Sequence, residues 1–164
     1  MSVYVVDSNF FIQAHRVIYP LDVAISFWVR VKQLAENGNI VSIDKVKNEI
    51  YQNDDDLKTW CQNNLPVDFF KDSTDVISEY TAVVAWTMSK NGHYQQRAVD
   101  EFMDANEADA WIVAYSLKHN CTITTYERSQ PERKSKIKIP EPCDSLGLTY
   151  LDTISMFRIL GVQF

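Results

Sequence analysis

The amino-acid sequence predicts a three-layer α/β/α sandwich with a mostly parallel central sheet of about four to five strands. Short apolar or β-branched runs at residues 3–6, 40–43, 121–125 and 149–151 have the length and composition of buried strands. Segments with helical character separate them, at residues 22–37, 45–52, 56–63, 74–89, 94–103, 107–119 and 153–160. Because strands that alternate with helices form parallel sheets covered on both faces, this order of elements predicts the sandwich.

The individual elements have recognisable boundaries in the sequence. The run V-Y-V-V near the start is apolar throughout, as in a strand buried on both faces. The first long helix carries an apolar stripe from Val23 to Leu34 and is expected to stop at Gly38. Asp44 follows the second strand, where it is suited to cap the next helix. Cys121 begins a β-branched run that fits a third core strand.

The composition fits one globular domain spanning residues 1–164. Hydrophobic residues make up 46% of the chain and charged residues 23%, and no apolar run is long enough to cross a membrane. The chain opens directly on a strand pattern, without the basic and apolar regions of a signal peptide. Its three cysteines are odd in number and form no C-x-x-C pair, which favours a reducing compartment. We therefore expect a cytoplasmic protein.

Four acids stand at the ends of predicted strands or near the apolar faces of predicted helices, where apolar residues are more usual. Asp7 and Glu127 follow the first and third predicted strands, and Glu49 and Asp109 lie in helices. Considered separately, Asp7 could cap a helix, Asp109 could interact with a helix dipole, and the two glutamates could be solvated. The helix face with Asp109 also carries Ile112, which makes a carboxylate unusual there.

The predicted topology brings these four acids to the same edge of the sheet, where open α/β proteins bind ligands. Each close pair of carboxylates repels by about 4 kcal/mol at 4 Å near a protein surface, so a cation is needed there. A site made only of oxygen ligands suits Mg²⁺ or Mn²⁺ and does not suit zinc. The sequence therefore predicts a catalytic metal site formed by Asp7, Glu49, Asp109 and Glu127, with the two aspartates as direct ligands.

Other polar residues extend this predicted site. Ser8, Asn9 and Thr125 carry hydroxyl or amide groups that could orient metal ligands or contact phosphate. The basic segment, residues 128–138, begins directly after Glu127 and has a single acid, Glu132. The net charge of the protein is −6, so local positive charge must hold any polyanion. We expect the segment to form a flexible flap that binds RNA phosphates through Arg128, Arg133, Lys134, Lys136 and Lys138. A solvated charged loop is the alternative.

The acidic pattern resembles that of PIN domains. The residues that carry the resemblance are D-S-N at Asp7, the helix residue Glu49, A-D at Asp109 and T-Y-E at Glu127. The chain is also similar, nearly end to end, to a bacterial PIN-like subgroup with F-F-I-Q-A-H-R, Y-P-L-D, S-F-W, A-D-A-W-I-V-A-Y and K-I-K-I-P-E-P-C-D-S-L-G. The sequence departs from many PIN domains at Glu127, where an aspartate is more usual.

This resemblance implies a metal-dependent endoribonuclease, often the toxin of a toxin–antitoxin pair, with RNA as substrate and an antitoxin protein as partner. A homodimer is one of the oligomeric states that the sequence leaves open. The alternative is a non-catalytic PIN-like module that binds a protein partner. Two other enzyme classes are disfavoured, because Asn9 replaces the second aspartate of haloacid-dehalogenase-type phosphatases and no phosphate-binding P-loop is present.

Overall fold

A five-stranded parallel sheet forms the centre of the structure, a computed structural model that describes residues 2–164. The strands are β1 (Tyr4–Val6), β2 (Ile40–Ile43), β3 (Phe70–Lys71), β4 (Thr122–Thr124) and β5 (Tyr150–Leu151). Their spatial order is β3-β2-β1-β4-β5, and every neighbouring pair is parallel. In the register of the two central strands, Val6 lies opposite Thr124. The chain adds β2 and β3 on one side of β1 and then β4 and β5 on the other, so the strand order reverses between β1 and β4. This is the switch point where such sheets bind ligands.

Helices cover the sheet and connect its strands. They are α1 (Ser8–Gln13), α2 (Ile25–Glu36), α3 (Asp44–Tyr51), α4 (Asp56–Asn64), α5 (Ile77–Ser89), α6 (Gln96–Phe102), α7 (Ala108–His119), α8 (Pro140–Leu146) and α9 (Thr153–Leu160). A π-helix at Ala14–Ile18 continues α1, and a 3₁₀ turn at Thr74–Val76 leads into α5. Helices α3, α5, α7 and α8 pack against one another. None of the helices within residues 2–164 is long and apolar enough to cross a bilayer.

The predicted fold class is confirmed, with the sheet at the upper end of the expected strand number. Three elements were not predicted from the sequence. Strand β3 has only two residues, which is too short to show a periodic pattern. Helix α1 has six residues and directly follows β1, and α8 contains two prolines near its start, so neither has a long apolar stripe. The first long helix also begins at Ile25, three residues later than expected.

The prediction that Asp44 caps the third helix is wrong in detail. Ile43 occupies the N-cap position, and Asp44 is the first residue of α3. One Asp44 oxygen accepts hydrogen bonds from the Lys45 N–H at 2.9 Å and the Ser73 hydroxyl at 2.7 Å. The carboxylate therefore connects α3 to the segment that follows β3, in addition to satisfying the helix end.

Aromatic side chains around Phe27 join α2 to the start and end of the chain. The Phe27 ring is fully buried and stacks on Tyr19, with 4.1 Å between ring centroids. It also stacks on Phe157 of α9 at 5.7 Å and contacts Phe164 edge to face at 5.4 Å. The Trp28 indole N–H donates to the Tyr19 carbonyl at 2.7 Å. This cluster fixes α9 and the C-terminal residues against α2.

The three cysteines are free and buried. Burial raises the pKa of the Cys61 thiol to about 12, and it raises the pKa values of Cys121 and Cys143 as well. At neutral pH these thiols are therefore protonated and poorly nucleophilic.

We expect Phe27→Ala to lower the free energy of unfolding by about 3–5 kcal/mol, because the truncation leaves a cavity among five aromatic rings. Val67→Ala is the matched control, since Val67 is fully exposed and its loss should change stability by less than about 0.5 kcal/mol. Urea denaturation followed by circular dichroism measures both. Equal stability of the two variants would show that the cluster does not hold α9 and α2 together.

Candidate metal centre

The four predicted acids converge at the carboxyl edge of the sheet. Asp7 directly follows β1, and Glu127 lies three residues after the end of the adjacent strand β4. Glu49 lies on α3, and Asp109 is the second residue of α7, so both reach this edge from helices. Asp7 interacts electrostatically with Asp109 and Glu49, and Asp109 interacts with Glu127 and Glu49. The structure thus brings all four carboxylates into one cluster, as expected from the sequence.

Asp7 is held by both structural and electrostatic contacts. Its side chain is 2% exposed and accepts the Phe10 N–H at 2.8 Å, so it caps α1. The Thr125 hydroxyl also hydrogen-bonds this carboxylate. Burial, together with the charges of Asp109 and Glu49, raises the pKa of Asp7 to about 7. The helix cap and the site residue are therefore the same side chain.

Glu49 connects three helices through its two carboxylate oxygens. One oxygen accepts from the Ser8 hydroxyl of α1, and the other accepts from the Ala108 N–H of α7 at 2.9 Å. We call this pair of contacts the Glu49 bridge. Ala108 directly precedes Asp109, so the bridge fixes the end of α7 that carries that aspartate. Because both oxygens already accept hydrogen bonds, Glu49 is suited to orient the cluster.

Asp109 has the most strongly perturbed carboxyl group in the cluster. Burial and, to a smaller extent, the charges of Glu127 and Glu49 raise its pKa to about 8, whereas Lys136 opposes the increase. Glu107, the N-cap residue of α7, is not among the site residues predicted from the sequence. The structure shows that burial and Glu49 raise its pKa too, so it belongs to the same electrostatic environment. The N-E-A-D motif places two acids at the start of one helix, and this was the sequence pattern from which Glu107 could have been identified.

Glu127 presents a buried oxygen without a hydrogen-bond partner. Its backbone N–H donates to the Thr125 hydroxyl at 3.1 Å, which orients the turn after β4. Its Oε2 atom is buried and accepts no hydrogen bond. Burial raises the pKa of Glu127 to about 7, with Asp7 adding to the increase and Lys138 and Lys136 lowering it. An unsatisfied buried carboxylate oxygen needs a proton or a cation.

The donor set fits a hard divalent cation, although its atoms are not yet arranged as a coordination shell. Within residues 2–164, no three His, Cys, Asp or Glu side chains form a ready metal-binding group. Mutual repulsion favours such separation when no cation is present. The Asp7, Asp109 and Glu127 carboxylates supply only oxygen donors, and the unpartnered Glu127 oxygen gives a cation an immediate ligand. These residues therefore fit Mg²⁺ or Mn²⁺.

The smaller polar residues predicted for the site have different positions. Ser8 and Thr125 contact carboxylates of the cluster directly, through Glu49 and Asp7 respectively. Asn9 is exposed on α1, and its side chain makes no hydrogen bond with the part of the chain that the structure describes. Asn9 is thus available to a ligand but does not organise the carboxylates.

The basic segment is packed against the rest of the protein. Ile137 is 2% exposed and Ile139, just after the segment, is fully buried, while the Lys134 carbonyl accepts the Gln95 N–H at 2.9 Å. Burial alternates along this stretch, since Lys136 is exposed and Lys138 partly exposed, whereas the two isoleucines are buried. The basic segment is therefore anchored to the rest of the protein, and the prediction of a flexible flap is wrong.

Its five basic residues divide into two groups. Lys136 and Lys138 lie beside the cluster, because both lower the pKa of Glu127, and Lys136 also pairs with Glu101 at 3.7 Å. Arg133 forms an ion pair with Glu141 at 3.5 Å, Arg128 interacts with Asp152, and Lys134 is exposed. Arg133 also lowers the pKa of Glu127, although it pairs with Glu141. The structure therefore brings three of the five predicted RNA-binding residues within electrostatic range of the carboxylates.

Fold and site together define a parallel α/β sandwich with a carboxylate cluster at the ends of its central strands. The chain belongs to the family described as Domain of unknown function (DUF4411), whose model matches residues 4–164. No curated protein matches the sequence significantly.

Among solved structures, the fold is similar to that in the crystal structure of VapBC2 from Rickettsia felis bound to a DNA fragment from their promoter. The similarity has a TM-score of 0.54 and covers 92% of this chain and 98% of that chain. Sequence identity is 12%, so this likeness concerns the fold alone.

We expect the stability of the metal-free protein to fall as the pH rises from about 4 towards about 8. The pKa values of Asp7, Asp109 and Glu127 are raised, so the native state binds more protons than the unfolded state in this range. The associated stability is complete below the ordinary carboxyl pKa and is lost as the pH passes the raised values. Urea denaturation in EDTA between about pH 5 and pH 9 measures this dependence.

Asp109→Asn is the control for this pH dependence, because it removes the group with the highest pKa and should flatten the slope. The difference between wild type and variant removes the contributions of all groups that the two proteins share. An identical slope in the two proteins would contradict the assignment of the pH dependence to the cluster.

Proposed function

We propose that this protein is a metal-dependent endoribonuclease that hydrolyses RNA phosphodiester bonds at the carboxylate cluster. The observation that carries the proposal is the set of three crowded carboxyl groups with raised pKa values at the switch point between β1 and β4. A cation relieves their repulsion, and a carboxylate-held cation beside basic side chains is suited to phosphodiester chemistry. The PIN-like sequence motifs support the same activity.

In this proposal, Asp7, Asp109 and Glu127 hold one or two Mg²⁺ or Mn²⁺ ions. When bound, such ions supply an activated water and neutralise charge on the phosphate oxygens. Glu49 acts through its bridge, keeping α7 and Asp109 in position relative to α1. Thr125 orients both Asp7 and the turn that carries Glu127.

Lys136 and Lys138 are proposed to bind the phosphates that flank the scissile bond. Their ammonium groups lie beside the acidic cluster, and the buried isoleucines fix the backbone that carries them. A polyanion approaching a protein of net charge −6 needs such a local positive surface. Arg133 contributes less in this proposal, because its charge is already paired with Glu141.

We further propose that the protein acts as the toxin of a toxin–antitoxin pair, with an antitoxin protein as its partner. The similarity of its fold to VapBC2 and the near end-to-end resemblance to PIN-like sequences support this role. The competing function is a non-catalytic module that binds a protein. Metal-dependent RNA cleavage by the purified chain distinguishes the two.

Asp7→Asn should reduce RNA cleavage by about 10²-fold or more, because it replaces an anionic ligand with a neutral amide. Asp55→Asn is the matched control: Asp55 also caps a helix, accepting the Lys58 N–H at 3.0 Å, but lies in α4's cap away from the cluster. Asparagine caps helices as well as aspartate does, so both variants keep their helix starts. Single-turnover cleavage of labelled single-stranded RNA with millimolar Mn²⁺ measures the difference.

The same pair of variants separates a catalytic role for Asp7 from a structural one. In EDTA at alkaline pH, Asp7→Asn should be at least as stable as wild type, because a buried charge is removed. Mn²⁺ should raise the melting temperature of wild type and Asp55→Asn more than that of Asp7→Asn. Retained cleavage together with lower stability in Asp7→Asn would make Asp7 a structural residue.

Replacing Lys136 and Lys138 with alanine should weaken RNA binding irrespective of sequence. Each lost phosphate contact should flatten the slope of log K against log salt by about 0.7 on single strands. The matched control replaces Lys32 and Lys71, two other lysines in surface ion pairs with nearby acids. Fluorescence anisotropy with labelled RNA at several salt concentrations gives the slopes.

Metal affinity should stay level or rise in the Lys136 and Lys138 double variant, because the removed charges oppose a cation at Glu127. Calorimetric titration with Mn²⁺ checks this point. Parallel salt slopes for the double variant and wild type would overturn the phosphate-binding role.

A further inference from the structure

A second cavity, separate from the carboxylate cluster, lies between the end of α5, the start of the basic segment and α8. Its volume is about 290 Å³, and its walls include Trp86, His93, Tyr94, Ser129, Glu141 and Asp144. This volume is at the lower end of the range for small-molecule sites and exceeds what a few waters need. The cavity is therefore large enough for one ring system.

Two of the residues that line this cavity each have a buried side-chain polar atom without a hydrogen-bond partner. The Trp86 indole N–H is an unsatisfied donor, and Glu141 Oε2 is an unsatisfied acceptor. Both residues are 9% exposed. The second Glu141 oxygen is already used, since it accepts the Gln130 N–H at 3.1 Å and pairs with Arg133. Buried polar groups normally have partners, so these two atoms indicate a missing ligand with one acceptor and one donor.

The charges around the cavity balance. Glu141 pairs with Arg133, and the walls also carry one lysine, Lys90, and one aspartate, Asp144, whose formal charges cancel. A cationic side chain from a partner protein would satisfy Glu141 but would leave the Trp86 N–H without an acceptor. An anion would satisfy Trp86 and would be repelled by Glu141. A neutral ligand that carries both kinds of group fits better.

We propose that this cavity binds a nucleobase of the RNA substrate, next to the nucleotides that are cleaved. A base is planar and neutral, and one of its edges carries both a donor and an acceptor. These are the two kinds of partner that Glu141 Oε2 and the Trp86 indole N–H lack. Aromatic walls of the kind formed by Tyr94 and His93 are typical of pockets for single-stranded bases. This inference rests on the proposed ribonuclease function and adds base selectivity to it.

The chain connects the cavity directly to the carboxylate cluster. Ser129 lines the cavity and lies only two residues after Glu127 of the cluster. Two residues span at most about 7 Å, which is comparable to the spacing of neighbouring nucleotides in an extended strand. A base in the cavity therefore fixes which phosphodiester bond reaches the carboxylates.

Binding is tested without catalysis by nuclear magnetic resonance of the indole N–H groups in EDTA. The probes are the 5′-monophosphates of adenosine, guanosine, cytidine and uridine. At least one should shift the Trp86 indole signal, assigned with Trp86→Phe, and should leave the Trp60 signal unchanged. The proposal is overturned if none of the four shifts it, and equally if only N-acetylarginine amide does, since the cavity would then take a protein side chain.

Selectivity is tested with oligouridine substrates that contain a single adenosine, guanosine or cytidine. Wild type should prefer one base at a fixed distance from the cut, and Trp86→Phe should lower that preference in kcat/KM by about two- to tenfold, the effect of one hydrogen bond. Ser145→Trp fills the cavity from an exposed position of α8 and should remove the preference without disturbing the buried residues. Trp60→Phe is the control for both.

The two assays distinguish this inference from the proposed function. Nucleotide binding at Trp86 without metal-dependent cleavage would support the base pocket and overturn the nuclease. Cleavage without base preference, and unchanged in Ser145→Trp, would support the nuclease and overturn the base pocket.

Discussion

The parallel pairing of β1 with β4 is the constraint on which the rest of the site depends. Because Val6 lies opposite Thr124, the residues that follow both strands leave the sheet side by side. Backbone hydrogen bonds between the two strands therefore bring Asp7 and Glu127 together. Thr125 strengthens this arrangement, since its hydroxyl contacts the Asp7 carboxylate and the backbone of Glu127.

Crowding of carboxylates at one edge has to be balanced by stabilising interactions elsewhere. Raised pKa values at Asp7, Asp109 and Glu127 mean that their ionised forms oppose folding. The Glu49 bridge and the neighbouring lysines limit this opposition by supplying hydrogen bonds and positive charge. Without a cation, the carboxylates at this edge of the sheet repel one another, and a bound cation would relieve that repulsion. Such strongly perturbed carboxyl groups are common at functional sites.

The sequence predicted the sheet and the four acids because both leave strong local patterns. Buried parallel strands are continuous apolar runs, and an acid such as Asp109 is conspicuous beside an apolar helix stripe. The two-residue strand β3 and the cavity around Trp86 left no such pattern, since they depend on contacts between residues far apart in the chain. For the same reason, the basic segment could be recognised by its charge, while its anchoring through Ile137 became visible only in the structure.

The three buried cysteines make the protein convenient for site-specific chemistry. Cys61, Cys121 and Cys143 are shielded and have raised pKa values, so maleimide reagents should react with them slowly in the native state. A cysteine introduced at exposed Ser135 would be the preferred site of labelling, with the native thiols left in place. A fluorophore there would sit between Lys134 and Lys136 and report directly on motion of the chain near the carboxylates.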